Sequence, residues 1–453
     1  MSPTTSIPTA PGALPLLGHA VPLLRDPLGF FESLSALGDL VKVRLGTAEL
    51  VVVCAPGLVH DVLRDDRTYA KGGPFWERVR EVIGDGVASV PHDLHRRQRR
   101  LMQPAFHSSR MRGYAEVVTA EAAGIVDGWH DGQVLDVGAE MPKLTAGVVR
   151  GALFAEAVTT ETVHRGIAAL LTVLAGVQRR LLLPQWVNQL PTPGNRRWER
   201  ARSEFRRAVS DIVAERRASG VDHGDLLSAL LAAKDTEGDG RGLSDTEIIN
   251  NVATFFAAGM ATTADTLSWA LHLLTRHPDI EARLHAEVDT VLAGRLPGFD
   301  DLPELAVTRA IITETLRIRP PVWFSTRVVT AGTQLGEQPL HPGDTLIYSP
   351  YGIHHRPDVW DRHDSFDPDR WLPGHPTPAR TAFVGFGAGP RKCIGDTFGM
   401  NEATLALAII TARWRLVPDQ PAKVRFGANL HPHGLRLRAT SRTPQRSAPS
   451  EVG

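Results

Sequence analysis

The sequence predicts a mostly α-helical protein with a small β-rich lobe, folded as one large domain. From residue 55 to residue 317 the dominant pattern is helical periodicity, interrupted by Gly/Pro punctuation. After Pro320 the pattern changes to short β-like runs and turns, as at residues 345–348. No internal repeat or low-complexity linker divides the 453 residues, and a hydrophobic share of 42% can fill a sizeable core.

The first elements follow from local signals. Pro11, Pro15 and Gly18 make residues 1–20 a non-helical arm, and Asp26 and Pro27 mark the start of the next helix. Strands are expected at residues 40–45 and 49–54. A last helix is expected at residues 396–413, before a short β-type ending. The single domain then spans residues 21–440, and the polar residues 441–453 are expected to form a disordered tail.

One long helix is predicted in the middle of the chain. Ser244 and Glu247 form a capping box, and no proline interrupts the pattern up to Arg276. At about 1.5 Å per residue this helix would extend roughly 48 Å, enough to cross a domain of this size. Its stretch FFAAGMATTADTLSWALHLL is apolar on nearly all sides, which predicts a central, buried position.

Charge and cysteine content exclude several classes of function. Lys plus Arg and Asp plus Glu each total 50, so no net charge attracts nucleic acid or an anionic membrane. Cys54 and Cys393 are the only cysteines, which argues against a disulfide framework and favours the cytoplasm. The first 19 residues show neither a charged leader nor a long apolar run, so no signal peptide or membrane anchor is expected.

The segment FGFGAGPRKCIGDTFG is the strongest candidate for a functional site. It places Cys393 between glycine-rich turns and ahead of a helix that starts near Asp396. Gly389 and Gly395 permit backbone conformations that let the chain curl around a bound sulfur. A thiolate beside a helix N-terminus is also favoured by the helix dipole. The ordinary alternative is a small buried core residue, the commoner fate of a free cysteine.

Residues 386–395 match the cysteine-loop signature of the cytochrome P450 superfamily, Phe-x-x-Gly-x-Arg/His-x-Cys-x-Gly. All five specified positions agree: Phe386, Gly389, Arg391, Cys393 and Gly395. The chain thus resembles this superfamily over nearly its whole length. The resemblance implies the cytochrome P450 fold and a haem b whose iron is bound by the Cys393 thiolate, a ligand that favours O–O cleavage. It also implies that Arg391 pairs with a haem propionate and that Phe386 packs against the ring near the sulfur.

A second motif lies upstream, in AIITETLRIRPPVWF. Glu314 and Arg317 are three residues apart and share one helix face, which alone predicts only a surface ion pair. The pair matches the family's Glu-x-x-Arg helix, and FDPDRW resembles the family's later arginine segment. The resemblance implies that Glu314, Arg317 and Arg370 form a buried triad that supports the cysteine loop and serves folding and haem retention.

Further cations are candidates for the haem propionates. His95 and Arg99 lie four residues apart on one helix face, at the family's spacing, and Arg327 matches another propionate-binding arginine. Arg96, Arg97 and Arg100 are interpreted as a solvated helix face. Some residues of this basic run are alternatively expected to form a docking patch for an acidic electron donor.

The segment AGMATT at residues 258–263 aligns with the family's oxygen-activating helix. Ala258 and Gly259 are expected to face the haem, where the missing side chain of Gly259 leaves room for dioxygen. Thr262 is expected to donate a hydrogen bond to dioxygen and to the water that delivers protons, with Thr263 as a second candidate. For Thr263 and Thr266 the alternative is a bond back to their own helix.

Position 261 departs from the family pattern, because alanine replaces the usual acid before the threonine. Three consequences remain open: water and Thr262 suffice, another group substitutes, or the reaction tolerates less efficient protonation. Asp265 lies on the same side of the helix, but its distance from the oxygen site argues against it as a replacement.

Carried over by position, the residues expected above the haem are apolar or aromatic, which favours a hydrocarbon-like substrate. The predicted substrate pocket consists of Phe75, Trp76, Phe255, Met260, Trp323 and Phe324. Phe256 and Val322 are interpreted equally well as core residues.

Several stretches, including TAPGALPLLGH and IYSPYGIHHRP, resemble actinobacterial terpene oxidases. This implies a monomeric hydroxylase that oxidises, possibly stepwise, a sesquiterpene hydrocarbon such as pentalenene. No flavin, nicotinamide or iron–sulfur motif is present, so electrons from NADPH are expected to arrive through a separate ferredoxin and ferredoxin reductase. Alternatives are a hydroxylase of a polyketide, steroid or fatty acid, and a peroxygenase, although peroxygenases carry Arg-Pro where this chain has Met260-Ala261.

Two other classes of protein are alternatives to a monooxygenase. A bifunctional terpene cyclase needs clustered carboxylates, and the nearest candidate is DDLPE at residues 300–304. Pro303 breaks this segment, which is better interpreted as a loop and helix cap. A non-enzymatic haem sensor would need neither Thr262 nor an apolar pocket, so both features favour an enzyme.

Overall fold

The computed structural model describes residues 6–154, 160–182, 185–235, 237–238, 240–419, 423–426 and 429–442. Helices in these ranges are α1 (Ala20–Arg25), α2 (Pro27–Leu34), α3 (Pro56–Arg64), α4 (Pro74–Ile83), α5 (His92–Met102), α6 (Ser108–Asp127), α7 (Val137–Phe154), α8 (Thr160–Leu182), α9 (Gln185–Gln189), α10 (Pro193–Ser219), α11 (Leu226–Ala232), α12 (Asp245–Leu274), α13 (Pro278–Leu292), α14 (Ala306–Ile318), α15 (Pro350–His354) and α16 (Asp396–Arg413). Strands are β1 (Leu40–Leu45), β2 (Ala48–Val53), β3 (Tyr69–Ala70), β4 (Val134–Asp136), β5 (Ser325–Val329), β6 (Thr333–Leu335), β7 (Gln338–Leu340), β8 (Thr345–Tyr348), β9 (Trp414–Pro418), β10 (Lys423–Phe426), β11 (Leu430–His433) and β12 (Arg436–Ser441).

The long helix α12 runs through the centre of the helical body, as predicted. Ser244 caps it, and the reciprocal hydrogen bonds with Glu247 confirm the capping box. Its 30 residues span about 45 Å at about 1.5 Å each. It packs mainly against α7, and also against α10, α14 and α16. These contacts bury most of its surface, which accounts for its apolar sequence.

The β-rich lobe is built on a five-stranded sheet with the order β1-β2-β8-β5-β3. The predicted strands near residues 40–54 form its antiparallel β1–β2 pair, and β8 coincides with the predicted run at 345–348. Val52 faces a cluster that includes Trp323, whereas Val51 and Val53 face a cluster beneath α3. Both faces of β2 are covered. Its last four residues are therefore all apolar and buried, and apolar residues do not alternate with polar ones.

The N-terminal arm is fastened to this sheet. The buried His19 donates from Nε2 to the Ala10 carbonyl at 2.7 Å and accepts at Nδ1 from the Arg44 N–H at 2.9 Å. At the other end β12 extends to Ser441, so the predicted boundary at residue 440 falls within a strand. Residues 443–453 of the predicted tail lie outside the described residues. Among the described helices, none has the length and apolarity needed to cross a membrane.

Candidate active site

The cysteine loop is closed by a hydrogen bond from the Cys393 N–H to the Phe386 carbonyl at 2.9 Å. Gly387 and Gly389 have φ values of 71° and 66°, a region that favours glycine. At Gly395 φ is −96°, which any residue adopts. The expectation of an unusual backbone was therefore right for Gly389, wrong for Gly395, and it missed Gly387.

Gly389 also lies against the end of α3. A Cβ atom at this position would be 2.1 Å from the carbonyl oxygen of Leu63. The loop is thus seated directly on α3, and it presents Cys393 just before α16 begins at Asp396.

The Cys393 side chain borders accessible space although the protein surrounds it closely. The residue is accessible, yet the thiol lies deep among protein atoms. Burial raises the pKa of the thiol above its usual value, and the hydrogen bond from the Gly395 N–H offsets this only in part. Coordination of a metal cation removes the thiol proton outright and supplies the missing stabilisation.

One face of α12 is open to a cavity. Phe255, Ala258, Gly259 and Thr262 are all accessible and lie on the same face in the middle of a mostly buried helix. The Thr262 hydroxyl donates to the Ala258 carbonyl at 2.8 Å. The predicted oxygen-activating segment thus borders open space with small side chains and one hydroxyl.

Gly259 is needed for packing as well as for space. A Cβ atom there would lie 2.9 Å from a methyl carbon of Val149 on α7.

Met260, predicted in the substrate pocket, is instead 1% exposed and part of the core between α7 and α12. Its carbonyl accepts from the buried Thr145 hydroxyl at 2.8 Å. The pocket assignment of Met260 is therefore corrected to a core position.

Thr263 and Asp265 point away from the accessible face. The Thr263 hydroxyl lies 3.1 Å from Oε2 of Glu402 on α16, so the interpretation that it bonds back to its own helix was wrong. Asp265 accepts from His431 at 2.6 Å and from Asn429 at 3.0 Å. Burial raises the pKa of Asp265 despite these partners. Because its carboxyl is engaged with the β11 region, Asp265 does not replace the acid missing at Ala261.

Aromatic rings form a second wall near α4. Phe75 contacts Phe324 with ring centroids 5.1 Å apart and Trp76 at 5.4 Å. Trp323 is 6% exposed and packs edge-on against Phe31 at 5.8 Å, so it is a core residue of the β lobe. Four of the predicted pocket residues remain partly accessible: Phe75, Trp76, Phe255 and Phe324. Phe256 lies in the core, and Val322 is exposed.

Basic side chains with unused buried donors cluster beside the cysteine loop. His95 Nδ1, Arg327 Nε and Arg391 Nη2 are buried and have no hydrogen-bond partner. Arg391 uses its other nitrogens to reach Asp66 at 2.7 Å and the Val90 carbonyl at 2.8 Å. Buried donors without partners are costly, so this arrangement fits a ligand that carries carboxylates.

Arg99 and Lys71 complete this cluster of basic side chains. Arg99 donates to the Lys392 carbonyl in the cysteine loop and to Gln103 at 3.1 Å. Sequence reasoning missed Lys71, whose Nζ donates to the Ala88 carbonyl at 2.9 Å and lies 4.1 Å from the Trp76 ring centre. Burial, together with Arg327 and Arg391, holds its pKa well below the usual value. No spacing in KGGPFW distinguishes this lysine from a surface lysine.

The predicted triad is assembled and fully buried at its centre. Arg317 contacts both carboxylate oxygens of Glu314 at 2.8 and 2.9 Å, and neither side chain is exposed. Arg370 Nε lies 3.5 Å from Glu314 Oε1. Trp371 adds an indole N–H at 2.9 Å from Glu314, a contact that the sequence analysis did not foresee.

His354 connects this triad to the cysteine loop. Its Nδ1 donates to the Arg317 carbonyl at 3.0 Å, and its Nε2 accepts from the Val384 N–H at 3.0 Å. Its ring stacks on Phe383 with centroids 5.1 Å apart. These bonds require a neutral ring, and burial lowers the pKa of His354 to about 3. A histidine on α15 thus positions the start of the loop that carries Cys393.

Acid is expected to destabilise the protein through His354 and His355. Burial lowers their pKa values to about 3 and about 2, whereas unfolded histidine has a pKa of about 6.5. Below pH 6.5 only the unfolded chain binds these protons, so the unfolding free energy falls as pH falls, by about 1.4 kcal/mol per pH unit for each histidine. Urea unfolding of His355→Gln between pH 6.5 and 4.5 should show a slope reduced by this amount. The exposed His341→Gln is the control, and an unchanged slope in His355→Gln would contradict the assignment.

The family model for cytochrome P450 matches residues 8–434. The chain belongs to the cytochrome P450 family. This P450 is 45% identical to pentalenene oxygenase of Streptomyces avermitilis over 96% of its own length and 98% of that protein. It is 43% identical to cyclooctat-9-en-7-ol 5-monooxygenase of Streptomyces melanosporofaciens, over 90% and 89% of the two chains. The crystal structure of the haem domain of cytochrome P450DA matches it with a TM-score of 0.87 and 28% identity, over 97% of this chain and 98% of that one.

This P450 is therefore a monooxygenase that binds haem through a cysteine thiolate, as the sequence analysis expected. Cys393 occupies the signature position, whereas Cys54 is buried in the β lobe. The haem supplies the dioxygen chemistry once a reductant delivers electrons. The unpartnered donors of His95, Arg327 and Arg391 suit its two propionates, so the residues present fit the group.

The DDLPE segment of this P450 serves structure. Asp301 accepts from the Gly298 N–H at 2.7 Å and pairs with Arg295, and Asp300 pairs with Arg112 at 2.7 Å. The loop-and-cap interpretation is confirmed. Among the described residues, no group of three or more His, Cys, Asp or Glu side chains is arranged to hold a metal ion.

Proposed function

We propose that this P450 hydroxylates a cyclic terpene hydrocarbon, stepwise at one carbon, with electrons from a ferredoxin and its reductase. The observation that carries the proposal is the apolar cavity wall: the accessible face of α12 offers Phe255, Ala258 and Gly259 beside the single hydroxyl of Thr262. Such a wall favours a hydrocarbon over a charged substrate. Two relatives support the substrate class, because their names specify pentalenene and cyclooctat-9-en-7-ol.

The cluster of basic side chains is proposed to hold the cofactor. His95, Arg327 and Arg391 give their unused donors to the propionates, and Arg99 and Lys71 lie beside them. Ala258 and Phe386 would contact the bound cofactor, one from α12 and the other from the cysteine loop. The network of Glu314, Arg317 and Arg370 acts through His354 to position the cysteine loop and takes no part in the reaction.

The remaining side chains bind substrate and water. Phe75, Trp76, Phe255 and Phe324 exclude bulk water and hold the substrate by apolar contact. The Thr262 hydroxyl, which donates to the Ala258 carbonyl in this structure, would turn toward dioxygen and one water to hold them by hydrogen bonds. A polyketide, steroid or fatty acid would contact the same apolar wall, so the wall does not distinguish these substrates from a terpene and all three must be tested as substrates.

Electrons are proposed to come from separate proteins in the cytoplasm. The basic run on α5 contributes little free charge to a docking surface, because Arg100 pairs with Asp235 at 2.6 Å and Arg97 with Glu247 at 3.0 Å. Arg96 is exposed and remains the candidate contact of this run for an acidic ferredoxin. Arg97 and Arg100 thus lie on a partly solvated face, as interpreted, and are also engaged in intramolecular ion pairs.

The test is reconstitution of the haem-loaded enzyme with ferredoxin, ferredoxin reductase and NADPH. A panel of cyclised terpene hydrocarbons is compared with a steroid, a polyketide and a fatty acid, and products are identified by mass spectrometry. We expect a terpene alcohol, followed by its aldehyde. Turnover of only the non-terpene substrates would contradict the substrate class, and equal turnover with hydrogen peroxide alone would favour a peroxygenase.

A further inference from the structure

The chain that enters β11 is bonded to α12 at three consecutive residues. Asp265 on α12 accepts a hydrogen bond from His431 Nδ1 at 2.6 Å and another from Asn429 Nδ2 at 3.0 Å. Trp269 lies four residues later on the same face of α12, and its indole N–H donates to the Leu430 carbonyl at 3.1 Å. The start of β11 is therefore fixed to the helix that forms one wall of the cavity.

The same segment also holds the second wall of the cavity. The Leu430 N–H donates to the Pro321 carbonyl at 3.0 Å. Phe324 follows three residues after Pro321 and contacts Phe75 in that wall. Leu430 is 0% exposed and belongs to the same hydrophobic cluster as Trp323, against which Phe324 also packs. A displacement of the start of β11 would therefore move the wall at Phe324 relative to α12.

Asp265 lies close to the oxygen-activating turn of α12. It follows Thr262 by three residues, which is about 4.5 Å along the helix axis at about 1.5 Å per residue. Its side chain is bonded to His431 and Asn429 and not turned to the accessible face of the helix. The segment that Asp265 holds thus joins the α12 wall beside Thr262 to the wall at Phe324.

A carboxyl group is a costly choice for this position. Asp265 is 6% exposed, and burial raises its pKa although His431 and Asn429 donate to it. Apolar side chains would hold the two elements together without the cost of burying an acid. A buried polar network whose members all have partners instead specifies one arrangement of the elements that it joins. The carboxyl therefore fixes the direction and the distance between α12 and β11, which apolar contact does not.

We propose that Asp265 is a positioning residue that fixes the wall at Phe324 relative to Thr262 and so determines which part of the substrate lies beside Thr262. It acts through His431 and Asn429, touches neither substrate nor dioxygen, and moves no proton. The inference rests on the proposed apolar cavity, and it adds the contact that makes this cavity select one carbon of its substrate over the others. It does not depend on the substrate being a terpene.

Two substitutions break the same contact from opposite sides. Asp265→Leu replaces the buried acid by an apolar side chain that still packs, and His431→Leu changes a partly exposed residue. If Asp265 served stability alone, Asp265→Leu would be neutral or stabilising and would leave the substrate orientation unchanged. Glu281→Leu is the matched control. Burial also raises the pKa of Glu281, but this acid pairs with Arg415 and joins α13 to β9.

The first measurement is the infrared C–O stretch of the reduced, carbon-monoxide-treated holoprotein, which needs no substrate. We expect one narrow band in the native protein and in Glu281→Leu. In Asp265→Leu and in His431→Leu the band should broaden or split, because the cavity walls then adopt several arrangements. A native band in both of these variants would overturn the proposal. A failed terpene screen would leave this result intact, so the two proposals fail separately.

The second measurement is the ratio of the oxidised regioisomers formed from any accepted substrate. We expect the ratio of major to minor product to fall about 10-fold in Asp265→Leu and in His431→Leu, since a misplacement of about 1 Å can cost about 100-fold in rate. The double variant should behave like either single variant, because both substitutions remove one contact. A native ratio in both single variants, or additive effects in the double variant, would overturn the proposal.

Discussion

Arg317→Met is expected to yield protein that retains little haem and unfolds easily. The guanidinium neutralises the buried Glu314 carboxylate with two bonds of 2.8 and 2.9 Å. It also donates to the carbonyls of His354, His363 and Ser365 at 2.8 to 2.9 Å. Removing one partner of a buried ion pair costs about 3–5 kcal/mol. That is a large part of the about 5–15 kcal/mol by which a folded protein is stable.

The loss of haem should follow from the position of these bonds. His354 and Ser365 connect Arg317 to the chain that precedes the cysteine loop, so the loop loses its support. The ratio of haem to protein and the thermal midpoint measure both effects. Arg362→Met is the matched control, because Arg362 is exposed and its pairing with Asp367 is worth about 0–1 kcal/mol. If Arg317→Met purified with native haem content and thermal midpoint, the triad would not support the loop.

Gly389→Ala is expected to displace the cysteine loop. The positive φ of 66° costs a residue with a side chain about 1–2 kcal/mol. In addition, the new Cβ would lie 2.1 Å from the Leu63 carbonyl oxygen, a backbone atom that cannot rotate away. The loop or the end of α3 must therefore move, and Cys393 moves with it. We expect most of the bound haem to lose its thiolate signature in the spectrum of the carbon-monoxide complex.

Gly387→Ala separates the effect of backbone strain from the effect of the close contact with Leu63. Gly387 has a similar φ of 71°, but the nearest atom to its added Cβ is 4.0 Å away. This variant should lose stability through backbone strain alone and keep its thiolate-bound haem. Equal loss of the thiolate signature in both variants would show that contact with α3 does not position the loop.

The fold was largely predictable because its main elements carry local signals. The capping box at Ser244 marks the start of α12, and the predicted last helix coincides with α16. The run at residues 345–348 is β8. In these segments propensity, periodicity and caps all favour the same structure, and the tertiary contacts agree with that local preference.

The site was predictable only where a motif defines it. Cys393 and the Glu314–Arg317 pair belong to short sequence patterns with one geometric meaning. His354 and Lys71 gain their roles from partners distant in sequence, such as Val384 and Ala88. Single residues of this kind have no spacing signal. Met260 was misplaced because an all-apolar helix does not reveal which of its faces borders the cavity.

The central claim is that the Cys393 thiolate binds the haem iron of this P450. The absorption spectrum of the reduced, carbon-monoxide-treated holoprotein tests it most directly. We expect the red-shifted Soret band of thiolate-ligated haem in the native protein and in Cys54→Ser, and its absence in Cys393→Ser. A native protein without that band, or a Cys393→Ser variant that keeps it, would contradict the account.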